Sequence, residues 1–257
     1  MSPKKEWYET FFAGLYGRVL ADAQHEGYPG QGIAQIQARV AQGMLEQYEP
    51  DILLLLVGGL AVTGVDLRAS FCRRARRGAA LAGVRARFQA ADMLALDFNG
   101  EFDAVVNWFT SFGYFSNAGN LAFCRRVLAA LKPGGRFLIE TVNGSWLPTH
   151  VLPRTRETIA GVTIDHAHRW NARSGRMIST WTFRHGRRIE RRRLSVRMYT
   201  GTEMRRLLKQ AGFVDIRLLG RPPLGPFTRH SRRLLALARR PGGRSGQKST
   251  DYTDATD

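Results

Sequence analysis

The chain has little of what marks a secreted, metal-bound or membrane-spanning protein. It has two cysteines in 257 residues, Cys72 and Cys124. Each stands alone in a predicted helix, which fits neither a disulfide framework nor a thiolate metal cluster, so both are read as buried free thiols. No opening stretch has the form of a signal peptide, and no apolar run approaches the ~20 residues of a membrane helix. A soluble, cytoplasmic protein is expected. Zinc-type spacing of histidines is missing, and so is any recognisable RNA-binding module. Acid is also scarce, with 21 Asp+Glu against 39 Lys+Arg and a formal net charge of +18. A balance this basic keeps nucleic acid, acidic small molecules and anionic surfaces in view. The arginine clusters are dispersed along the chain, however, and are read first as solvated faces.

What the chain does have is clearest in residues 101–141. Asp103–Phe109 has the β-branched and aromatic content of a buried strand, and Leu121, Val127, Leu128 and Leu131 are spaced for one helical face. Lys132-Pro133-Gly134-Gly135 stops that helix, and Arg136–Glu140 is a second apolar run. Strand, crossover helix and strand make the right-handed parallel unit of an α/β sheet. Downstream, Val162–Trp170, Met177–Arg184 and Ile189–Met198 alternate as antiparallel strands within an excursion over 144–198. Thr200–Gly212 is a capped helix, with Glu203 favouring its first turn. Phe213–Leu219 and Ser231–Arg239 follow as two more strands. Upstream, Trp7–Leu20 and Ile33–Tyr48 read as amphipathic helices, Ala69–Ala82 as a helix ending at Gly83, and Val84–Gln89 as a strand. Beyond Arg240 the tail has almost no apolar content and reads as disordered.

The block FDAVV, an aromatic loop and LKPGGRFLIE together resemble the fourth and fifth strands of the class I S-adenosylmethionine-dependent methyltransferases of small-molecule type. The resemblance extends over roughly Trp7 to Arg240. It implies a doubly wound, mostly parallel Rossmann-like sheet with helices on both faces, an antiparallel C-terminal edge and a β-rich lid insertion. The implied division is an N-terminal helical cap over 1–50, an α/β domain over 51–240 with its lid at 144–198, and a tail over 241–257. S-adenosyl-L-methionine is the implied cofactor and a small molecule the implied methyl acceptor.

By the same resemblance Asp66, with Leu67, stands where a carboxylate meets the cofactor's ribose. Asp92, with Met93, stands where the adenine is met, and Asn107 and Trp108 lie beside the reactive sulfonium. Tyr16, Tyr114, His166 and His168 are candidates for the acceptor side. Phe112 and Phe115 read equally well as an aromatic cap on the sheet. His166 and His168, two apart, share one face of a strand and read as a surface pair before a catalytic base. No catalytic residue and no metal ligand is assigned.

One departure from the family stands out. ILLLL and AVTGVDL occupy the places of the first two strands, yet only Val57-Gly58-Gly59-Leu60 lies between them. Parallel neighbours need a crossover of a dozen residues or more. Either the two runs form an antiparallel hairpin, or one of them is not a sheet strand, or about a dozen residues have been lost. Under each alternative the family's glycine-rich cofactor loop is missing. Gly58 and Gly59 are then a remnant of that loop or, more simply, a turn. The leading reading is a methyltransferase acting on a small molecule. The alternatives are a methyltransferase-like binding or partner protein without catalysis and, last, a nucleic-acid methyltransferase.

Overall fold

The computed structural model describes residues 52–56, 61–81, 86–108, 110–159, 161–220 and 226–242. The expected helices before residue 50, Tyr16, the Gly58-Gly59 pair, the Gly83 cap and the tail beyond 242 lie outside these residues.

A seven-stranded sheet forms the centre. Its strands are β1 (Ile52–Leu56), β2 (Ala61–Asp66), β3 (Ala86–Ala90), β4 (Phe102–Asn107), β5 (Leu131–Val142), β10 (Val214–Leu219) and β11 (Arg233–Arg239). The spatial order is β10-β11-β5-β4-β1-β2-β3. β2 pairs with β3 and β4 with β5 in parallel, whereas β11 lies antiparallel between β5 and β10. β2, β3, β4, β5 and β10 therefore run one way, with β1 and β11 opposed. The sheet is mixed: five strands share a direction, but the reversed β1 and β11 make four of the six neighbouring pairs antiparallel, and the C-terminal edge is antiparallel as expected.

The reversed β1 shows that the two apolar runs pair as an antiparallel hairpin. It pairs antiparallel with β2, Ile52 opposite Val65 and Leu56 opposite Ala61, and antiparallel with β4 on its other side. Four intervening residues permit a hairpin and forbid a parallel crossover, so the strand keeps its central slot and gives up its direction.

Helices cover both faces. α1 (Ala69–Leu81) packs Cys72, Ala75 and Ala79 with Val62, Phe88, Val106 and Leu235. On the opposite face α2 (Asn117–Ala130) and α3 (Gly201–Ala211) pack Phe123, Val127, Met204 and Leu208 with Val65, Val105, Phe137, Ile139 and Leu234. Neighbours such as Val105 and Val106 enter opposite layers, as the two-residue period of a strand requires. Both cysteines are buried and free, and burial pushes the Cys124 thiol far up.

Local signals account for most boundaries. Ser116 caps α2 by accepting the Gly119 N–H, which starts the helix four residues before its apolar face. Thr200 and Glu203 form a capping box on α3, and Gly212 ends it at φ +104°. The Lys132–Gly135 stop is absorbed into β5: Phe102 pairs with Leu131 and Ala104 with Arg136, so residues 132–135 bulge out of the ladder.

The lid is a separate four-stranded antiparallel sheet, β6 (Arg154–Ile159), β7 (Val162–Asn171), β8 (Arg176–His185) and β9 (Arg188–Arg197). β6 was not expected, because its sequence RTRETI is polar and almost wholly exposed. The lid also revises the reading of dispersed arginines. Cross-strand register puts Arg154, Arg156, Arg169, Arg184, Arg191 and Arg193 on one face of this sheet, with Asp165 among them bonding Arg156 and Arg184. Alternation within each strand does this, and it separates Arg192 onto the other face beside Glu190.

Candidate active site

The carboxyl ends of β2, β3, β4 and β5 meet along one edge of the sheet, where a doubly wound fold places its ligand. Along that edge Ala90 is opposite Asp66 and Asn107 opposite Ile139, with the amino end of β1, Ile52 opposite Val65 and Leu53 opposite Val106, between the two pairs. The amino end of β1 thus stands between Asp66 and Asn107, which are about 10 Å apart at two strand spacings. The chain enters the sheet at the point where the family's chain leaves it into the cofactor loop.

Asp66 is 9% exposed. Its Oδ1 accepts the backbone N–H of Arg68 at 2.6 Å, and among the described residues Oδ2 takes no hydrogen bond. Burial raises its pKa to about 6, against the opposing pull of the Arg68 N–H and charge. Leu67 beside it is half-buried. Asp92 caps a short 3-10 turn, Met93–Ala95, by accepting the Leu94 N–H at 2.8 Å. Met93 is buried in the layer beneath. Asn107 is fully buried at the end of β4, and Trp108 packs into the layer of α1.

The loop after β4 is held under strain. Thr110 has φ +63°, and its N–H donates to the Glu140 carbonyl at 3.2 Å. Arg233 pairs with both carboxylate oxygens of Glu140 and also donates to Thr110 Oγ1 at 3.0 Å. Glu140 is 2% exposed, so this ion pair is desolvated and fixes the loop to the ends of β5 and β11. Further along, Arg176 donates to the carbonyls of Gly113, Tyr114 and Phe115, and the Arg197 N–H donates to Gly113 O at 2.8 Å. These bonds fasten the lid to the loop. Phe112 and Phe115 are buried in the core, which makes them packing residues.

A cavity of about 450 Å³ lies between this loop and the lid. Thr110, Tyr114, His150, His168, Ser179 and Arg232 contribute to its walls. His168 Nδ1 lies 2.7 Å from Ser179 Oγ, and burial followed by the charge of His166 holds its pKa below the ordinary imidazole value. His166 does not line it. That ring is 8% exposed, bonds Glu157 Oε1 at 2.9 Å and packs edge-on to Trp181. The expected surface pair is thus one buried ring and one half-buried ring on the same face, because the Trp181 side chain, directly opposite on β8, packs against His166 and Glu157 bonds it. Ser179, Thr110 and Arg232 gave no sequence signal, since only register and loop packing bring them to the cavity.

A family model described as a methyltransferase domain matches residues 51–135. No curated protein matches the chain. Among solved structures, an S-adenosylmethionine-dependent methyltransferase from Clostridium acetobutylicum superposes with a TM-score of 0.59 at 17% identity, covering 70% of this chain and 75% of that one. The CcbJ methyltransferase from Streptomyces caelestis gives 0.59 at 16%, covering 70% and 74%. The PH0226 protein from Pyrococcus horikoshii gives 0.51 at 17%, covering 71% and 72%. The likeness to these solved structures is one of fold. In this chain the first strand of the sheet runs antiparallel to both of its neighbours.

The residues present fit the class's cofactor unevenly. Asp66 offers a carboxylate oxygen as acceptor for a ribose hydroxyl, and Asp92 stands at the neighbouring strand end as a second acceptor, with Met93 buried beside it. β1 pairs antiparallel with β2, which leaves no length between them for a crossover helix whose N-terminus could meet the amino-acid end.

Proposed function

We propose that the protein is an S-adenosylmethionine-dependent methyltransferase acting on a small-molecule acceptor, with Asp66 and Leu67 at the ribose and Asp92 and Met93 at the adenine. The observation that supports this is the placing of Asp66 and Asn107 at the carboxyl ends of β2 and β4, and of Asp92 two residues past the end of β3, along one edge of the sheet; the cavity beneath the lid is walled by other residues. The cofactor, when bound, supplies an electrophilic methyl group. The protein's part is to hold the acceptor in line and exclude water, which the lid and the pinned Thr110–Phe115 loop are built to do. In this reading Asn107 and Trp108, both buried and outside the cavity walls, belong to the sulfonium side, and Tyr114 and His168, which line the cavity, to the acceptor side. No described helix is long and apolar enough to cross a membrane. We take the protein to work in the cytoplasm.

Acceptor-dependent release of S-adenosylhomocysteine, measured over a panel of small hydroxylated and aminated compounds, tests this reading. Release that disappears in Asp66→Ala supports it. No release with any acceptor, together with no binding of S-adenosylhomocysteine, contradicts it. The second reading, a binding or partner protein without catalysis, is favoured by one observation: the reversed β1 removes the place from which the cofactor loop would spring.

A further inference from the structure

The walls of the cavity between lid and sheet are chemically one-sided. Trp146, Trp181, Met177, Leu194, Val196 and Met198 supply indole, thioether and aliphatic surface. Its volume, about 450 Å³, lies in the range of pockets for small organic ligands. His150 and Arg232 are exposed and both contact the ring of Trp146: His150 stacks on it at 4.1 Å and the Arg232 guanidinium lies 5.7 Å from its centroid. Inside, the hydrogen-bonding groups are few. A polyhydroxylated ligand would bury hydroxyls against hydrocarbon, each costing about 1–3 kcal/mol when unpaired.

The deepest polar group is the His168–Ser179 pair. Ser179 is 2% exposed and directly opposite His168 across the β7–β8 ladder. Their bond occupies Nδ1, which leaves Nε2 as the ring's other hydrogen-bonding atom. Among the described residues nothing bonds it. With the ring neutral and its proton on Nδ1, donated to Ser179 Oγ, Nε2 is an acceptor.

We propose that this cavity takes a largely apolar aromatic molecule bearing a hydroxyl group, a phenol in chemical class, whose O–H donates to His168 Nε2. That such a molecule is the methyl acceptor rests on the function proposed above, whereas its preference for the cavity does not. Calorimetric titration of the full chain without cofactor, using 2-naphthol and D-glucosamine as probes, keeps the two apart. The expected result is saturable 2-naphthol binding in the sub-millimolar range and no saturation with glucosamine. His168→Leu, which keeps the volume and removes the nitrogen, should weaken 2-naphthol about fivefold, the loss of one hydrogen bond. Leu194→Trp, which fills the cavity, should abolish binding while leaving the melting temperature at or above that of the parent. Glucosamine binding as tightly as 2-naphthol, no binding of 2-naphthol, or unchanged 2-naphthol affinity in both folded variants would overturn the proposal. Methyl transfer failing while 2-naphthol still binds counts against the enzyme reading alone.

Discussion

The backbone N–H of Arg68 donates to Asp66 Oδ1 at 2.6 Å, which fixes one carboxylate oxygen against the chain two residues on. Burial holds this carboxyl at a pKa of about 6, above its ordinary 3.8. A raised folded-state pKa favours the folded state at low pH, and that advantage is lost as pH rises from the unfolded value through 6. Above pH 6 the buried charge costs at most about 3 kcal/mol. Asp66→Asn should therefore raise the melting temperature at pH 7.5, with the gain vanishing near pH 4. A variant less stable than the parent at pH 7.5 contradicts this account of Asp66.

The same group sets a pH dependence for the ligand. A ribose hydroxyl donates to a carboxylate more strongly than to a carboxylic acid. Affinity for adenosine should rise as pH increases through 6 and level off above it, measured by calorimetry from pH 5 to 8. A flat profile would remove Asp66 from the ribose.

Glu140 and Arg233 make a buried pair, so removing one partner leaves an uncompensated charge. Arg233→Met should cost about 3–5 kcal/mol in chemical denaturation. Glu140→Met combined with Arg233→Met should recover much of that loss, because no charge then remains buried. Equal losses in the single and double variants would mean that the pair is not what holds the Thr110 loop.

Gly113 lies where the lid meets the loop, at φ +100° with the Arg197 carbonyl pressed against the place a Cβ would occupy. Gly113→Ala combines an unfavourable backbone region with a backbone clash and should cost more than about 2 kcal/mol. Hydrogen exchange should show the loss in β8 and β9 before the central sheet. Protection unchanged in the lid would mean that it is held elsewhere.

The arginine-covered face of the lid predicts weak, salt-labile association with RNA. Binding to a generic 20-mer seen at about 50 mM salt should be gone by about 200 mM. A complex that persists at higher salt would favour a nucleic-acid acceptor over a small molecule.

How much of this was legible in the sequence follows from where each signal resides. Strands β4 and β5, α3 with its Thr200–Glu203 box and the antiparallel last pair are written in local pattern, and the structure places them within a few residues of expectation. The hairpin at β1 was one of three alternatives, since a four-residue connection excludes a crossover without saying which strand turns round. β6 was invisible because RTRETI carries no apolar alternation. His166 was misjudged as a surface residue, because the strand that buries it is paired through register and not through adjacency. Asp66, Asp92 and Asn107 are assigned by resemblance, and the structure adds their positions at the strand ends. Ser179, Thr110 and Arg233 needed the three-dimensional arrangement.

The central claim is that the site holds the nucleoside at Asp66 and has little among its described residues to hold the amino-acid end. Calorimetric titration with S-adenosylhomocysteine and, separately, with adenosine tests it most directly. The account predicts weak binding of both, adenosine within about tenfold of S-adenosylhomocysteine, a gap of about 1.4 kcal/mol, and loss of both in Asp66→Ala. Tight binding of S-adenosylhomocysteine with none of adenosine, or binding of either that survives Asp66→Ala unchanged, would contradict it.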